Sequence, residues 1–318
     1  MDVSIIIVNW NTKKLLADCL ESIYAQTKAI EFEVIVVDNA SKDNSALMVE
    51  QRFPQTILIK NNQNIGYAAA NNKGIVIAKG RYVLVLNSDT VIVDNAIAKT
   101  VKFADAHCDC AVVSCKVCNP DNTIQATCFM FPSLLNMVLA DTYLKQIFKK
   151  SKFFGRERLT WFKWDHPFEL DVVAGCFMLV RKKAIEQVGL MDESFFMYSE
   201  ETDWCCRFKK SNWKIYYMPH AEIIHLGGQS SCQNAPQMIL QLRGSVLQFL
   251  KKHSSQLEYR LACILVWIFF VTRIPIWSVI YFLKIKSRAI SQVYMSAYTT
   301  AVKRMLTNGA LAICHKTN

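Results

Sequence analysis

The residues best suited to chemistry are Asn87, Ser88 and Asp89, which close the run VLVLNSDT (83–90). Four apolar residues, two of them β-branched, read as a buried strand. A carboxylate at the carboxyl end of such a strand faces the crevice where open α/β sheets bind ligands, and hard oxygen donors suit Mg²⁺ or Mn²⁺. An Asx turn after a strand uses the same residues, so the motif gains meaning only from its neighbours. A second cluster is Ser199-Glu200-Glu201-Thr202-Asp203-Trp204. Acids in a first helical turn complement the helix dipole, and Asp203 and Arg207 stand at i,i+4 spacing. Carboxylates crowded behind the aromatic run Phe195 to Tyr198 also raise at least one pKa, which suits a general base toward a hydroxyl. His225 precedes Gly227 and Gly228; a strand-end imidazole can ligate a metal, although a lone histidine is more often structural.

The elements that must position these groups follow from the apolar patterning. Val3 to Val8 is a continuous apolar strand followed by Asn9, Trp10 and Asn11, and Thr12 predicts an N-cap for a helix through about Gln26. Val34 to Val37 is a second strand, ending at Asp38 and Asn39. Ser41 to Phe53 reads as a helix stopped by Pro54, and Ile57 to Ile59 as a third strand. Asn61 to Tyr67, with Asn64 and Gly66, is a loop, and Ala68 to Ala78 a helix leading to the Val83 strand. This βαβαβαβ order predicts a doubly wound, mostly parallel sheet of the nucleotide-binding type. Asn9, Asn11, Asp38, Asn39, Asn64, Asn87 and Asp89 then outline one crevice, with Asp38 able to accept from a nucleobase or ribose. No G-x-G-x-x-G and no G-x-x-x-x-G-K-[ST] follows the first strand, which argues against a dehydrogenase and a P-loop NTPase.

Downstream, Asn95 to His107 reads as a helix, Ala111 to Val117 as a strand and Asn119 to Asn122 as a turn. Phe129 to Phe148 reads as a mobile or membrane-facing apolar segment. Asp171 to Val180 is a predicted strand and Arg181 to Val188 a helix ended by Gly189. A helix from Glu200 through Ser211 precedes two short strands, Trp213 to Tyr217 and His220 to His225. Beyond Gly228 the chain is mostly helical. Leu261 to Leu283 has the length of a membrane span. Arg273 and Pro275 near its middle, and positive charge at both ends, predict a re-entrant or interfacial hairpin instead.

The 318 residues are 52% hydrophobic and 20% charged, enough for one large domain with an appendage. Met1 to Trp10 runs straight into a strand pattern, so no secretory signal is expected. The twelve cysteines lack a disulfide-scaffold spacing and read as reduced and cytosolic. Cys108, Cys110, Cys115 and Cys118 have zinc-like spacing, but a strand through Ala111 to Ser114 would splay them. Arg243 to Asn318 carries eleven Lys plus Arg and one acid, Glu258, hence nearly all of the net charge of +11. Lys145 to Lys163 is a second basic run. Because this charge surrounds lipid-like apolar segments, it points to an anionic membrane surface and not to nucleic acid.

Together the motifs resemble those of family 2 inverting glycosyltransferases with the GT-A fold, in the bacterial rhamnosyltransferase-like branch. The matching segments are IIIVNWN (5–11), VVDNASKDNS (36–45), NQNIGYAAANNKG (62–74), VLNSDT (85–90), GCFMLVRKKAIEQVGLMDESFFMYSEETDWCCR (175–207) and HLGGQS (225–230). The resemblance implies a GT-A domain over 1–231 and a basic, helical, membrane-associating appendage over 232–318. It implies that Asn9, Asn11, Asp38 and Asn39 hold the nucleoside of a sugar donor and that Asn64 and Gly66 frame it. Asn87-Ser88-Asp89 occupies the D-x-D position, with Asn in place of the first Asp, so Asp89 would bind Mg²⁺ or Mn²⁺ together with His225. Glu201 falls on the catalytic-base position, where Asp is common in the family, which leaves Glu200 and Asp203 as alternatives. The implied reaction moves a sugar, rhamnose from dTDP-rhamnose by branch, to a hydroxyl of a saccharide or polyprenyl-diphosphate-linked saccharide. The implied place is the cytoplasmic face of the cell membrane, in cell-surface polysaccharide synthesis. Two rivals remain. A catalytically degenerate GT-A-fold protein that binds the membrane surface is disfavoured by the presence of Asp89 and the acidic trio. A nucleotidyltransferase would need a Gly-rich basic loop after strand one.

Overall fold

The computed structural model describes residues 1–142, 147–148, 150–227 and 235–314. Lys145, Gly228 and the division expected at 231/232 lie outside the described residues. Two compact units are present. The first comprises Met1–Phe131, Arg158–Phe196 and the described part of Glu200–Ser230; the second comprises Pro132–Glu157, Met197–Ser199 and the described residues after 231.

The first unit is built on a nine-stranded sheet. Its parallel half consists of β1 (Val3–Asn9), β2 (Phe32–Asp38), β3 (Ile57–Lys60) and β4 (Tyr82–Asn87), in the order β3-β2-β1-β4. Alternation along each strand sends Ile5, Ile7, Val34, Val36, Leu84 and Leu86 to one face. There they meet Leu16, Leu20 and Ile23 of α1 (Lys13–Gln26), Met48 and Val49 of α2 (Ser45–Arg52) and Ile97 and Val101 of α4 (Ala96–Ala106). Ile6, Ile35, Val37, Val83 and Val85 face the other way. They pack with Ala68, Ala70 and Ile75 of α3 (Tyr67–Ile77), Ile185 of α6 (Lys182–Val188) and Trp204 and Phe208 of α7 (Glu200–Lys210). Burial on both faces is why these strands read as unbroken apolar runs.

Beyond β4 the sheet reverses. β10 (Phe177–Arg181) runs antiparallel to β4, and β6 (Cys110–Cys118) antiparallel to β10. β11 (Lys214–His225) runs parallel to β6, and β5 (Thr90–Ile92) antiparallel to the end of β11. β8 (Phe168–Glu169) pairs with β11, while β7 (Cys128–Phe129) and β9 (Val172–Val173) form a separate ribbon.

Several local expectations are corrected. Thr12 stands at the N-cap position of α1 but makes no capping bond; its hydroxyl donates to Asn9 Oδ1 at 2.6 Å, and Asp43 Oδ2 accepts from Lys13 N at 2.7 Å instead. α2 begins at Ser45, not Ser41, because residues 41–44 turn, with Asn44 at φ 63° and Asp43 Oδ1 accepting from Ser45 N. The strand expected over Asp171 to Val180 is two strands that flank Ala174 to Cys176. The two strands expected after Trp213 are one, β11, whose register shifts between Met218 and Glu222, around Pro219. A proline within a sheet is accommodated at such a bulge.

The second unit is helical. It contains α5 (Leu134–Asp141), α8 (Ala235–His253), α9 (Gln256–Phe282), α10 (Arg288–Asn308) and a final 3-10 turn, Ala310–Ile313. The Leu261 to Leu283 run is no hairpin: α9 continues through Pro275, and the chain reverses only before α10. Ala262, Val266 and Phe270 of α9 are buried, as are Tyr298 and Ala301 of α10. Trp277 and Tyr294 stack between the two helices with centroids 4.1 Å apart. α9 is the one helix among the described residues long and apolar enough to cross a membrane by length and composition. The expected apolar segment Phe129 to Phe148 contains the ordered helix α5.

Gly66 is the conformational pivot of the first unit's crevice. Its φ is +88°, and a Cβ there would lie 2.6 Å from the Phe196 carbonyl oxygen, to which Tyr67 N donates at 2.8 Å. Gly66→Ala is expected to destabilise the protein by about 2 kcal/mol or more through strain and clash. A circular-dichroism melt checks this; an unchanged midpoint would show that the loop relaxes at no cost.

Candidate active site

The ends of β1 and β2 meet through a buried polar network. Asn9 Nδ2 donates to Asp38 Oδ1 and to Ser41 Oγ, both at 3.0 Å. Asp38 Oδ2 accepts from Ser41 N at 3.0 Å, so each carboxylate oxygen has one partner and retains acceptor capacity. Thr12 Oγ1 lies 2.9 Å from Ser88 Oγ, which ties the end of β1 to the end of β4. Asn11, at φ 54°, accepts from Lys42 N at 2.7 Å and donates its own N–H to Ser41 Oγ at 2.9 Å.

Asn39 organises the loop after β3. Its Nδ2 donates to Asn64 Oδ1 at 3.0 Å and to the Gly66 carbonyl at 3.2 Å, while its Oδ1 accepts from Asn61 Nδ2 at 3.0 Å and Ile65 N at 3.3 Å. These bonds use the whole capacity of the side-chain amide. The Asn39 side chain therefore shapes the loop. Asn64 Oδ1 also accepts from Gly66 N at 3.0 Å.

At the end of β4, Asp89 and His225 are both buried and come together, with Asp89 Oδ1 3.1 Å from His225 Nε2. The ladder between β5 and the end of β11 enforces this: Thr90 pairs with His225, and Leu226 N donates to the Asp89 carbonyl at 3.0 Å. Two neighbouring ligands around an octahedral cation with bonds near 2.1 Å stand about 3.0 Å apart, so the pair fits a Mg²⁺- or Mn²⁺-sized ion. No group of three or more His, Cys, Asp or Glu side chains suited to a metal gathers among the described residues. A pair of protein ligands matches cations that keep waters and substrate phosphates in their shell. Asn87 Nδ2 lies 3.2 Å from the same His225 nitrogen, and Asn87 Oδ1 lies 3.0 Å from the Tyr67 hydroxyl.

Tyr67 links this corner to the acidic cluster. Burial pushes its phenol well above the usual range, and the charges of Glu200 and Glu201 push it further. Cys176 connects the same two regions: burial raises its thiol to about 12, with Asp89 and Glu201 both contributing. Glu200 and Glu201 begin α7, and each has an Oε2 that is buried without a hydrogen-bond partner. Burial raises both carboxyls, Glu200 well above the ordinary value with the Glu201 charge adding to it. Their mutual hydrogen bond holds Glu201 down in part. Just before them, Tyr198 and Ser199 take left-handed φ values of 67° and 66°, a costly backbone for non-glycine residues.

Asp203, two residues on, is engaged by Arg207. It is 0% exposed and accepts from Arg207 Nε at 2.7 Å, while the Arg207 guanidinium also donates to the Val188 and Leu190 carbonyls. The i,i+4 pair read from the sequence is thus an internal brace for α7. Tyr67 and Gln125 escaped sequence reading as site residues. Tyr67 carried a signal, since it follows Gly66 within a quoted motif. Gln125 carried none.

Residues 4–189 match the family model described as Glycosyl transferase family 2. The chain is 27% identical over 209 residues to the N-acetylglucosaminyl-diphospho-decaprenol L-rhamnosyltransferase of Mycobacterium tuberculosis, over 60% of this chain and 66% of that protein. It thus spans about two thirds of that relative's length. It is 25% identical over 275 residues to the low-salt glycan biosynthesis hexosyltransferase Agl10 of Haloferax volcanii, over 83% of this chain and 82% of the relative. Among solved structures, the mannosyltransferase PcManGT of Pyrobaculum calidifontis, in complex with GDP-Man and Mn²⁺, superposes with a TM-score of 0.56 at 15% identity, over 96% of this chain and 87% of that one. At that identity the likeness speaks to the fold alone, which is GT-A. With more than half of its length matched by the family model, the chain belongs to glycosyl transferase family 2.

Proposed function

We propose that this protein is an inverting glycosyltransferase that moves a sugar from a nucleotide-sugar donor to a saccharide hydroxyl in cell-surface polysaccharide synthesis. The observation that carries the reading is a cation-sized Asp89–His225 pair after β4 together with a carboxyl pair at the start of α7, Glu200 and Glu201, whose charges act on the Tyr67 phenol that bonds Asn87. The mycobacterial relative, by its name an N-acetylglucosaminyl-diphospho-decaprenol L-rhamnosyltransferase, supports rhamnose as the sugar and a polyprenyl-diphosphate-linked acceptor.

In this reading Asp38 accepts from the nucleoside with its free lone pairs, and Asn9 and Asn11 fix the turn that presents it. Asn39, Asn64 and Gly66 hold the loop that frames the donor, and Ser88 ties the ends of β1 and β4 together. Asp89 and His225 would hold Mg²⁺ or Mn²⁺, which supplies positive charge to the leaving nucleoside diphosphate. The Glu201 carboxylate takes the proton of the acceptor hydroxyl as that oxygen bonds to C1 of the donor sugar. The C1–O bond breaks on the opposite side, its electron pair leaves with the diphosphate, and configuration inverts. Glu200 carries the neighbouring proton, and its hydrogen bond offsets part of the burial so that Glu201 stays ionisable. Asp203 braces α7 through Arg207.

The second unit suits docking at the cytoplasmic face of an anionic membrane. Leu261, Ile264, Ile268, Ile276, Val279 and Phe282 form an exposed stripe along α9. Lys251 and Lys252 precede it, and Lys284, Lys286 and Arg288 follow.

Glu201→Gln is expected to cut the transfer rate about 10²–10⁴-fold while donor affinity stays within a few-fold. Full activity in this variant, measured by release of nucleoside diphosphate, would remove Glu201 from the mechanism. A thermal-shift panel of nucleotide sugars should show a Mn²⁺-dependent rise with dTDP-rhamnose or another donor, about 2.7 kcal/mol at 100 times Kd. No shift with any nucleotide in folded protein would favour a degenerate fold that serves only as a membrane binder. The pH–rate profile gives a third check. Because burial raises the Glu201 carboxyl and the base acts deprotonated, the rate should climb through a midpoint above the ordinary glutamate value of 4.5. Glu200→Ala removes the hydrogen bond that steadies the carboxylate and should move that midpoint higher; an unmoved midpoint would separate Glu200 from the base.

A further inference from the structure

Gln125 lies between β6 and β7, outside the segments that carry the family resemblance. Its backbone N–H donates to the Val117 carbonyl at 2.8 Å, which seats it beside the end of β6. Its side chain grips His225 at two points. Nε2 donates to the His225 backbone carbonyl at 3.1 Å, and Oε1 lies 2.7 Å from the ring Nδ1. The other Nε2 proton goes to Asn119 Oδ1 at 2.7 Å. Asn119 is oriented in turn, since its Nδ2 donates to Thr123 Oγ1 at 2.9 Å.

This network leaves little freedom to the imidazole. Both Nε2 protons of Gln125 point at oxygens that accept, so Oε1 must be the atom that faces the ring. An amide oxygen only accepts, so the ring proton resides on Nδ1. In the neutral imidazole the lone pair is then on Nε2, the nitrogen that stands 3.1 Å from Asp89 Oδ1. Asn87 Nδ2, 3.2 Å from this nitrogen, can donate to the lone pair, but the Asp89 oxygen cannot, and a cation between Nε2 and Asp89 relieves that mismatch. Left to itself in water, histidine favours the opposite tautomer, with its proton on Nε2.

We propose that Gln125 is a positioning residue that sets the tautomer and rotation of His225, so that Nε2 and Asp89 stand as a ready-made ligand pair for a divalent cation. This rests on the reading of Asp89 and His225 as cation ligands. Partners that orient a ligating histidine through its other nitrogen typically contribute 10–100-fold to metal affinity. The clamp also couples the turn at Asn119 to the site, because Asn119 and His225 share the two protons of one amide.

Two measurements on the full chain test it. The first is a long-range ¹H–¹⁵N spectrum of the metal-free protein, with the His225 signals assigned by their loss in His225→Asn. The expected pattern is the Nδ1–H tautomer; an Nε2–H tautomer in the wild-type protein overturns the proposal without any need for a Gln125 variant. The second is a titration with Mn²⁺ alone, followed by the electron paramagnetic resonance of the free ion. Gln125→Met, which keeps the side-chain length but not the amide, is expected to bind Mn²⁺ about 10–100-fold more weakly than wild type. Wild-type affinity in folded Gln125→Met overturns the proposal. Asp89→Asn separates the two levels of inference. If Asp89→Asn binds Mn²⁺ as wild type does, the cation site itself is wrong. If Asp89→Asn loses binding and Gln125→Met does not, only the role of Gln125 falls.

Discussion

The site depends on a bend in one strand. β11 begins beside the first residues of β6 and ends beside β5, the short strand that follows Asp89. The register shift between Met218 and Glu222 turns it, so that Ile223 to His225 reach the short strand β5 while still pairing with β6. A bulge sharpens twist and re-aims the side chains that follow it. Three ladder rungs, closed by the bond from Leu226 N to the Asp89 carbonyl, then set the separation of Asp89 and His225. Pro219 lies within the bend, where its missing N–H leaves no ladder bond broken.

The crevice itself is lined with amides more than with charges. Asn9, Asn39, Asn61 and Asn64 bond one another, nearby hydroxyls and backbone, and they fill the space between the ends of β1, β2 and β3. An amide can donate and accept at once, so a few of them can satisfy several turns without stranding a buried group. The cost of rigid turns is met inside the network, and Asp38 is held with part of its capacity free. The acidic side of the site is managed differently. Glu200 is buried and Glu201 half-buried, and each keeps an Oε2 that is out of contact with water and without a hydrogen-bond partner.

The second unit resolves its own electrostatic conflict locally. Arg273 sits in the middle of the most apolar helix, yet its guanidinium lies 4.0 Å from the centre of the Phe269 ring, and that of Arg243 lies 3.9 Å from the same ring. Two cations that close to one ring centre must take opposite faces. Arg243 is also paired with Asp141 of α5, so the charge pair ties α5, α8 and α9 together. This explains why α9 stays one helix where its arginine and proline suggested a break. The arginine has a partner within the unit, and flanking turns of helix carry the chain past Pro275.

By itself the sequence determined the parallel half of the sheet and the residues at its strand ends. Each of those strands is buried on both faces, and each turn follows it at once, so composition alone marks them. It also marked Asp89, Glu200, Glu201 and His225, because charged groups beside apolar runs are conspicuous. Three things were decided only by the tertiary structure. The first is that Asp203 holds Arg207, whose guanidinium also donates to two carbonyls, which depends on where α6 ends relative to α7. The second is that β5 leaves β4 and pairs at the opposite edge of the sheet, a long-range choice that three apolar residues cannot encode. The third is Gln125, an ordinary polar residue in an ordinary turn, whose place beside His225 arises only because β6 and β11 are neighbours. Local pattern reports what a segment buries; which distant segment it meets is set by the packing of the whole sheet.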